Sequence, residues 1–145
     1  MIHFKIVTPE REVLDAEADS VTLPTQMGEI TILPNHIPLV ANLAPGEMRF
    51  RRGTAEESFA VSGGFVEVKK NHEVVVLADT AERGHEIDLD RAERARERAS
   101  KFINESYKDQ KSLADASASL QKHLARIRVA RKHRTKSGSA IHTNY

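Results

Sequence analysis

The sequence has no cysteine, no tryptophan, and only 5% aromatic residues among its 145 positions. Without cysteine the chain forms neither disulfides nor thiolate metal sites. With so few aromatic side chains, the core has to be packed mainly from Val, Ile, Leu and Ala. The seven histidines lack metal-site spacing, and there is no nucleophile elbow or phosphate-binding loop. We therefore expect no metal site and a protein that is not itself an enzyme.

Long apolar runs are also missing. Runs such as Val74–Ala78 are far shorter than the ~20 residues that a membrane helix needs. The N-terminal residues Met1–Lys5 lack the basic-then-apolar pattern of a signal peptide. We therefore expect a soluble chain, and docking on a membrane complex remains open.

The net charge of +1 conceals two regions of opposite sign. Residues 1–90 hold 16 acids and 8 bases, a net of −8, whereas residues 91–145 hold 5 acids and 14 bases, a net of +9. One interpretation is that the two regions meet different electrostatic partners. The other is that they are two solvated surfaces that attract each other.

The first region has the pattern of β-strands. Short segments alternate polar and apolar residues between proline and glycine breaks. We predict strands at residues 4–7, 20–23, 29–33, 46–51, 57–61, 65–68 and 73–77. Short strands bury their apolar faces only when two sheets pack together, so we predict an antiparallel β-sandwich over residues 1–86. Gly63-Gly64 would supply backbone freedom for a turn or bulge.

The second region has a helical period. No proline follows Pro45, and apolar residues recur every three or four positions. Residues 87–134 are predicted to form an antiparallel two-helix hairpin that turns at 104–112, and residues 135–145 a disordered tail. The predicted apolar stripes are Ala92, Ala95, Ala99, Phe102 and Ile103 on the first helix and Leu113, Ala116, Leu120, Leu124, Ile127 and Ala130 on the second. Because these stripes are narrow, we expect the hairpin to be able to separate from the sandwich.

Three segments carry a family resemblance: Gly28–Val40, Ala60–Val68, and Leu77–Arg83 leading into Ile87–Ala92. With the Ala/Arg-rich hairpin that follows, they make residues 2–132 resemble the bacterial and chloroplast epsilon subunit of F-type ATP synthases. The resemblance implies a non-catalytic central-stalk subunit that contacts the gamma subunit and couples the catalytic sector to the proton-driven c-ring. It also implies inhibition of ATP hydrolysis by the hairpin, and a peripheral position on the cytoplasmic side of the bacterial inner membrane.

The segment Ile87-Asp88-x-x-Arg91-Ala92 has two compatible interpretations. In the structural one, Asp88 is a helix N-cap and Ile87 packs on Ala92 as a hydrophobic staple. In the other, the family's I/L-D-x-x-R-A motif implies ATP as a regulatory ligand, with no cofactor required. Lys122 stands where strong binders carry arginine, and lysine lacks the bidentate fork. The implied ATP-binding residues are Glu82, Ile87, Asp88, Arg91, Ala92, Arg98, Lys122 and Arg126.

The second helix is strongly basic, with seven bases and no acid from Lys122 to Lys136. Such a run is ordinarily a solvated face. The resemblance implies that in the extended hairpin these bases meet an acidic segment of the catalytic beta/alpha subunits, blocking rotation. The implied inhibitory residues are Arg126, Arg128, Arg131, Lys132 and Arg134.

Glu29 and His36 fall where the family's sandwich touches the c-ring. A glutamate at a strand edge is otherwise ordinary, and His36, between Pro34 and Pro38, also fits a purely structural role.

Two other functions remain open from the residues alone. A nucleic-acid-binding protein would use the basic hairpin to neutralise phosphates, but the helices offer only Phe102 and Tyr107 for base stacking. We therefore expect no nucleic acid partner. A stand-alone ATP-sensing domain would differ from the family function only in having no partner subunits.

Overall fold

The computed structural model describes the backbone of residues 1–105 and 110–142, and the side chains of 1–104 and 113–135. Ten strands precede two helices. The strands are β1 (Ile2–Val7), β2 (Glu12–Ala18), β3 (Ser20–Thr25), β4 (Gly28–Ile32), β5 (Leu39–Asn42), β6 (Gly46–Arg52), β7 (Ala55–Val61), β8 (Gly64–Val68), β9 (Glu73–Ala78) and β10 (Ala81–Arg83). A short 3₁₀ helix (Gly84–Glu86) leads into α1 (Leu89–Glu105) and α2 (Gln110–His142).

The strands form two five-stranded sheets, in the orders β2-β1-β9-β8-β5 and β10-β7-β6-β3-β4. All pairs are antiparallel except β1 with β9, which run parallel. The predicted β-sandwich followed by two helices is confirmed, and the one parallel pair is the difference from a fully antiparallel arrangement. Strands β2, β5 and β10 were not predicted, and each lies at a sheet edge.

The sandwich core, which we define as the apolar side chains between the sheets, follows from the strand alternation. On β1, for example, Ile2, Phe4 and Ile6 are buried while His3 and Lys5 point outward. Phe4 packs against Phe50 with ring centroids 5.5 Å apart. Gly64 has φ +108°, and a Cβ there would lie 2.0 Å from the Leu77 carbonyl oxygen, so only glycine fits.

Helix α1 begins as predicted. The Asp88 carboxylate accepts a hydrogen bond from the Arg91 backbone N–H at 3.1 Å, which makes Asp88 the N-cap. Ile87 and Ala92 lie in one buried cluster, as the staple requires.

The predicted apolar stripes are only partly correct. Phe102 and Leu124 are 45% and 39% exposed, whereas the unpredicted Ala125 and Val129 are buried. The reason is that α2 packs on both α1 and the sandwich, so its second half buries a face that a two-helix hairpin alone would leave in water.

The C-terminal end differs from the predicted disordered tail, since α2 continues through His142. Adding residues to an existing helix needs no new nucleation, and the stretch contains no proline. Of the predicted turn at 104–112, residues 106–109 lie outside the described range, as do residues 143–145 of the tail.

Candidate functional site at the hairpin–sandwich contact

The hairpin rests on the outer face of the second sheet through small apolar side chains. We call this set the interface cluster: Ala60, Ile87, Ala92, Ala125, Ile127, Val129 and Ala130. Gly84 permits the close approach, because a Cβ there would lie 2.5 Å from the His133 Cβ and 3.0 Å from the Val129 carbonyl oxygen. The rings of His85 and His133 lie 5.9 Å apart beside this contact.

Among the described side chains, two ion pairs join α2 to the sandwich. Arg126 Nε donates to Glu82 Oε2 at 2.8 Å, and both side chains are partly buried. Lys132 Nζ donates to Glu47 Oε1 at 2.5 Å, and the Glu47 side chain is only 2% exposed. The acids belong to the negatively charged half of the sequence and the bases to the positively charged half, so the two halves attract each other here.

Arg49 connects Glu47 to the outer end of the sandwich. Its guanidinium donates to Glu47 at 3.3 Å and to Glu29 at 3.2 Å. Partial burial acts to lower the pKa of Arg49, but these two carboxylates outweigh it and raise that pKa. Arg49 therefore stays charged.

His123 lies beside the Arg126–Glu82 pair. Its Nδ1 is 3.3 Å from Arg126 Nη1. Burial, and then the positive charges of Arg126 and Lys122, lower the pKa of His123. The imidazole is thus held neutral, and its Nδ1 accepts the hydrogen bond from Arg126.

The eight residues implied for ATP binding occupy several environments. Ile87 and Ala92 are buried in the interface cluster, and Asp88 caps α1. Arg126 is paired with Glu82, whereas Arg91 and Arg98 are exposed and Lys122 is half-buried. Arg98 lines two grooves between the helices, of about 770 and 520 Å³, and none of the other seven lines either groove.

The five residues implied for inhibition fall into two groups, those that are held in ion pairs and those that are not. Arg126 and Lys132 are engaged by sandwich acids, and Arg131 pairs with Glu93 of α1 at 2.9 Å. Arg128 and Arg134 are exposed, with no ion pair among the described side chains.

Glu29 lies near the start of the edge strand β4, and His36 lies in the loop after that strand. Glu29 is exposed and paired with Arg49. His36 is half-buried, its backbone N–H donates to the Leu33 carbonyl at 3.2 Å, and its Nδ1 lies 2.7 Å from the Ile37 carbonyl. Sequence reasoning missed two highly exposed apolar side chains on the adjacent loops, Met27 (95%) and Ile37 (75%).

Comparison with known proteins assigns the family. The family model described as "ATP synthase, Delta/Epsilon chain, beta-sandwich domain" matches residues 1–84, and that described as "ATP synthase, Delta/Epsilon chain, long alpha-helix domain" matches residues 85–131. The chain belongs to the ATP synthase delta/epsilon chain family. The family models divide the chain just after β10.

Relatives of the delta/epsilon family match nearly the whole chain. The ATP synthase epsilon chain of Dehalococcoides mccartyi is 46% identical over 129 residues, covering 89% of this chain and 91% of that protein. The ATP synthase epsilon chain of Chloroflexus aggregans is 44% identical over 135 residues, covering 93% and 96%. In the fold, the chain resembles a subunit in the Euglena gracilis mitochondrial ATP synthase OSCP/F1/c-ring structure, with a TM-score of 0.74, 24% identity and coverage of 86% and 78%.

As a delta/epsilon family member, the chain is a non-catalytic subunit of an ATP synthase, which is a membrane-bound complex. No helix within the described residues is long and apolar enough to cross a membrane.

The residue at this site that sequence reasoning missed is Glu47. It alternates with the core residues Met48 and Phe50 on β6, so the pattern predicts only that it points outward. Nothing local to β6 indicates that α2 covers this face. A contact 85 residues apart in sequence has no signal in a single strand.

Proposed function

We propose that this chain is a central-stalk subunit whose sandwich docks on the gamma subunit and c-ring while its hairpin restrains ATP hydrolysis when it leaves the sandwich. The folded hairpin described above is then the non-inhibitory state. In the extended state, the basic face of α2 meets an acidic segment of the catalytic beta/alpha subunits. Opposite charges fix the register of that contact.

The supporting observation is that two of the five residues implied for inhibition are already paired with acids of the sandwich. Arg126 and Lys132 are paired with Glu82 and Glu47, so they cannot contact another acid until the hairpin leaves. The interface cluster consists mainly of alanine, whose burial stabilises little compared with larger side chains. Release therefore needs only a modest change in free energy.

Reconstitution of the ATP synthase tests the inhibitory role. Enzyme assembled with a chain lacking residues 88–145 is expected to assemble normally and hydrolyse ATP faster than enzyme with the full chain. The paired substitution Arg128→Ala/Arg134→Ala should also relieve inhibition, since these exposed bases do not hold the hairpin down. Equal hydrolysis rates with full and shortened chains, under every nucleotide and proton-motive condition, would contradict the role.

We further propose that ATP is a regulatory ligand that favours the folded hairpin. Arg91, Arg98 and Arg126 come from both helices, so a nucleotide that contacts all three requires the helices to pack together. Phosphate binding would have to compete with Glu82 for Arg126. Lys122 would add a positive charge for the phosphates, but its ammonium group lacks the paired donors of an arginine guanidinium.

Calorimetric titration with Mg-ATP tests this ligand. The full chain should release heat, Arg126→Ala should bind more weakly, and Arg128→Ala, an exposed arginine two positions away, should bind as the native chain does. No heat from the native chain would reject ATP as a ligand and leave the coupling role intact.

For docking on the c-ring we propose the sandwich edge formed by β4 and its flanking loops, which carries Glu29 and His36. Met27, just before β4, and Ile37, in the loop after it, add exposed apolar surface to that edge. We propose that the chain, docked in this way, is a peripheral subunit on the cytoplasmic side of the bacterial inner membrane. Charge reversal at Glu29 should weaken coupling of proton flow to ATP synthesis in reconstituted vesicles, and Glu67→Lys, on the other sheet, should not.

A further inference from the structure

Glu47 is the one buried charged side chain among the described residues. It lies on β6 and faces α2. A buried carboxylate is unfavourable unless its oxygens are hydrogen-bonded and its charge is paired. Burying Glu47 therefore costs free energy, and the size of that cost depends on which groups cover the carboxylate.

The compensation for that cost is incomplete. Lys132 at 2.5 Å and Arg49 at 3.3 Å both donate to Oε1. The other oxygen, Oε2, is buried with no hydrogen-bond partner among the described residues. Arg49 also donates to Glu29, and among the described hairpin side chains Lys132 is the one cation that contacts Glu47. When α2 leaves, water can reach both oxygens.

We propose that Glu47 is the internal receptor for the basic helix, and that its pair with Lys132 keeps the docked hairpin close to release. The pair specifies which base must cover Glu47, since a hairpin without Lys132 would leave this buried carboxylate with Arg49, a cation that it shares with Glu29. It also limits the stability of docking. The carboxylate is buried with an unsatisfied oxygen while the Lys132 side chain stays 41% exposed, and such a pair stabilises less than well-packed apolar groups of the same size. The physical claim concerns the isolated chain, and its effect on hydrolysis rests on the function proposed above.

These two properties predict that a single substitution and a double substitution change the stability of docking in opposite directions. Lys132→Met removes the cation and should favour undocking. Glu47→Met/Lys132→Met replaces both charges by apolar groups and should dock at least as tightly as the native chain. A generic loss of positive charge on α2 would not reverse in this way.

A single thiol reports docking, because the chain has no cysteine of its own. Ala60 is 3% exposed and lies in the interface cluster, so an Ala60→Cys reporter reacts with a thiol reagent only when the hairpin opens. In the full chain, Lys132→Met should raise the labelling rate about tenfold or more. The double substitution should return it to, or below, the starting rate. Arg134→Met, an exposed base on the same helix, should change it less than about twofold.

Several outcomes would overturn the proposal: no acceleration by Lys132→Met, equal acceleration by Arg134→Met, or a double variant as fast as the single one. Circular dichroism and urea unfolding confirm that each sandwich is folded, and Lys132→Met alone remains decisive should Glu47→Met disturb β6. Reconstituted enzyme carrying the double substitution should hydrolyse ATP faster, because the hairpin stays down. Tighter docking without faster hydrolysis would support the ion-pair proposal and count against the inhibitory function.

Discussion

The sandwich core and the interface cluster bury apolar surface in different ways. The core is filled by large side chains with no exposure, among them Phe4, Phe59 and Leu23. The interface cluster holds four alanines, and ion pairs at its edge supply much of the contact. Burying a large apolar side chain stabilises by about 1.5–3 kcal/mol, which a methyl group does not approach.

This difference separates the two roles. The sandwich closes its core with residues 2–81 alone, so it does not need the hairpin to complete its core. The hairpin, by contrast, is held by contacts that a competing acid or a nucleotide could replace. The way each region buries its surface thus supports the proposed roles, a docking module for the sandwich and a movable regulatory element for the hairpin.

The largest effect is expected in the sandwich core. Phe4→Ala deletes a ring that is fully buried and packed on Phe50. It should lower the free energy of unfolding by about 3–5 kcal/mol. Urea unfolding followed by circular dichroism measures the loss. A loss below about 1 kcal/mol would mean that the core tolerates a cavity, and the contrast between the two regions would fail.

The next effect is expected in the interface cluster. Ile127→Ala removes its largest α2 side chain, 3% exposed, and should weaken docking by about 2 kcal/mol. Labelling of the Ala60→Cys reporter should accelerate while the urea transition of the sandwich stays in place. Leu124→Ala, 39% exposed on the same helix, is the matched control and should have little effect. A shift of the sandwich transition by Ile127→Ala would show that the two parts unfold as one unit.

Much of the fold was predictable because strands with one buried face alternate clearly. The three strands that escaped prediction, β2, β5 and β10, are edge strands. An edge strand is paired on one side only, and its apolar signal is weak: β2 buries just Val13 and Ala18 among seven residues. The fourth edge strand, β4, was predicted because its residues alternate clearly between polar and apolar, so prediction failed at edge strands that lack a clear alternation.

The candidate site was less predictable, for the same physical reason. The Asp88 cap is local, since donor and acceptor are three residues apart, and it was found. Glu47, Ala125 and Val129 are defined by the packing of α2 on the sandwich, and their roles are invisible in any short segment. Residues that act across the interface are thus the ones that need the structure.

A smaller effect should distinguish the two kinds of ion pair on α2. Arg126→Ala breaks a pair whose side chains are 18% and 26% exposed, and should weaken docking by about 1 kcal/mol. Arg131→Ala breaks the pair with Glu93, which is 61% and 37% exposed and lies within the hairpin. It should change docking by less than about 0.5 kcal/mol. Equal labelling rates of the reporter in the two variants would mean that burial of the pair does not matter.

The smallest effect is expected from pH, and it should be confined to the hairpin. His123 faces Arg126, Lys122, Arg98 and Glu82, and burial with the three positive charges lowers its pKa. In the unfolded hairpin the histidine returns to its ordinary pKa of about 6.5, so below that pH the unfolded hairpin binds the proton more readily and the folded hairpin that covers the reporter loses stability. Reporter labelling, divided at each pH by the rate in the urea-unfolded chain, should therefore rise between about pH 7 and 5.5. His123→Gln should flatten the profile, and a profile unchanged by it would assign the proton to another group.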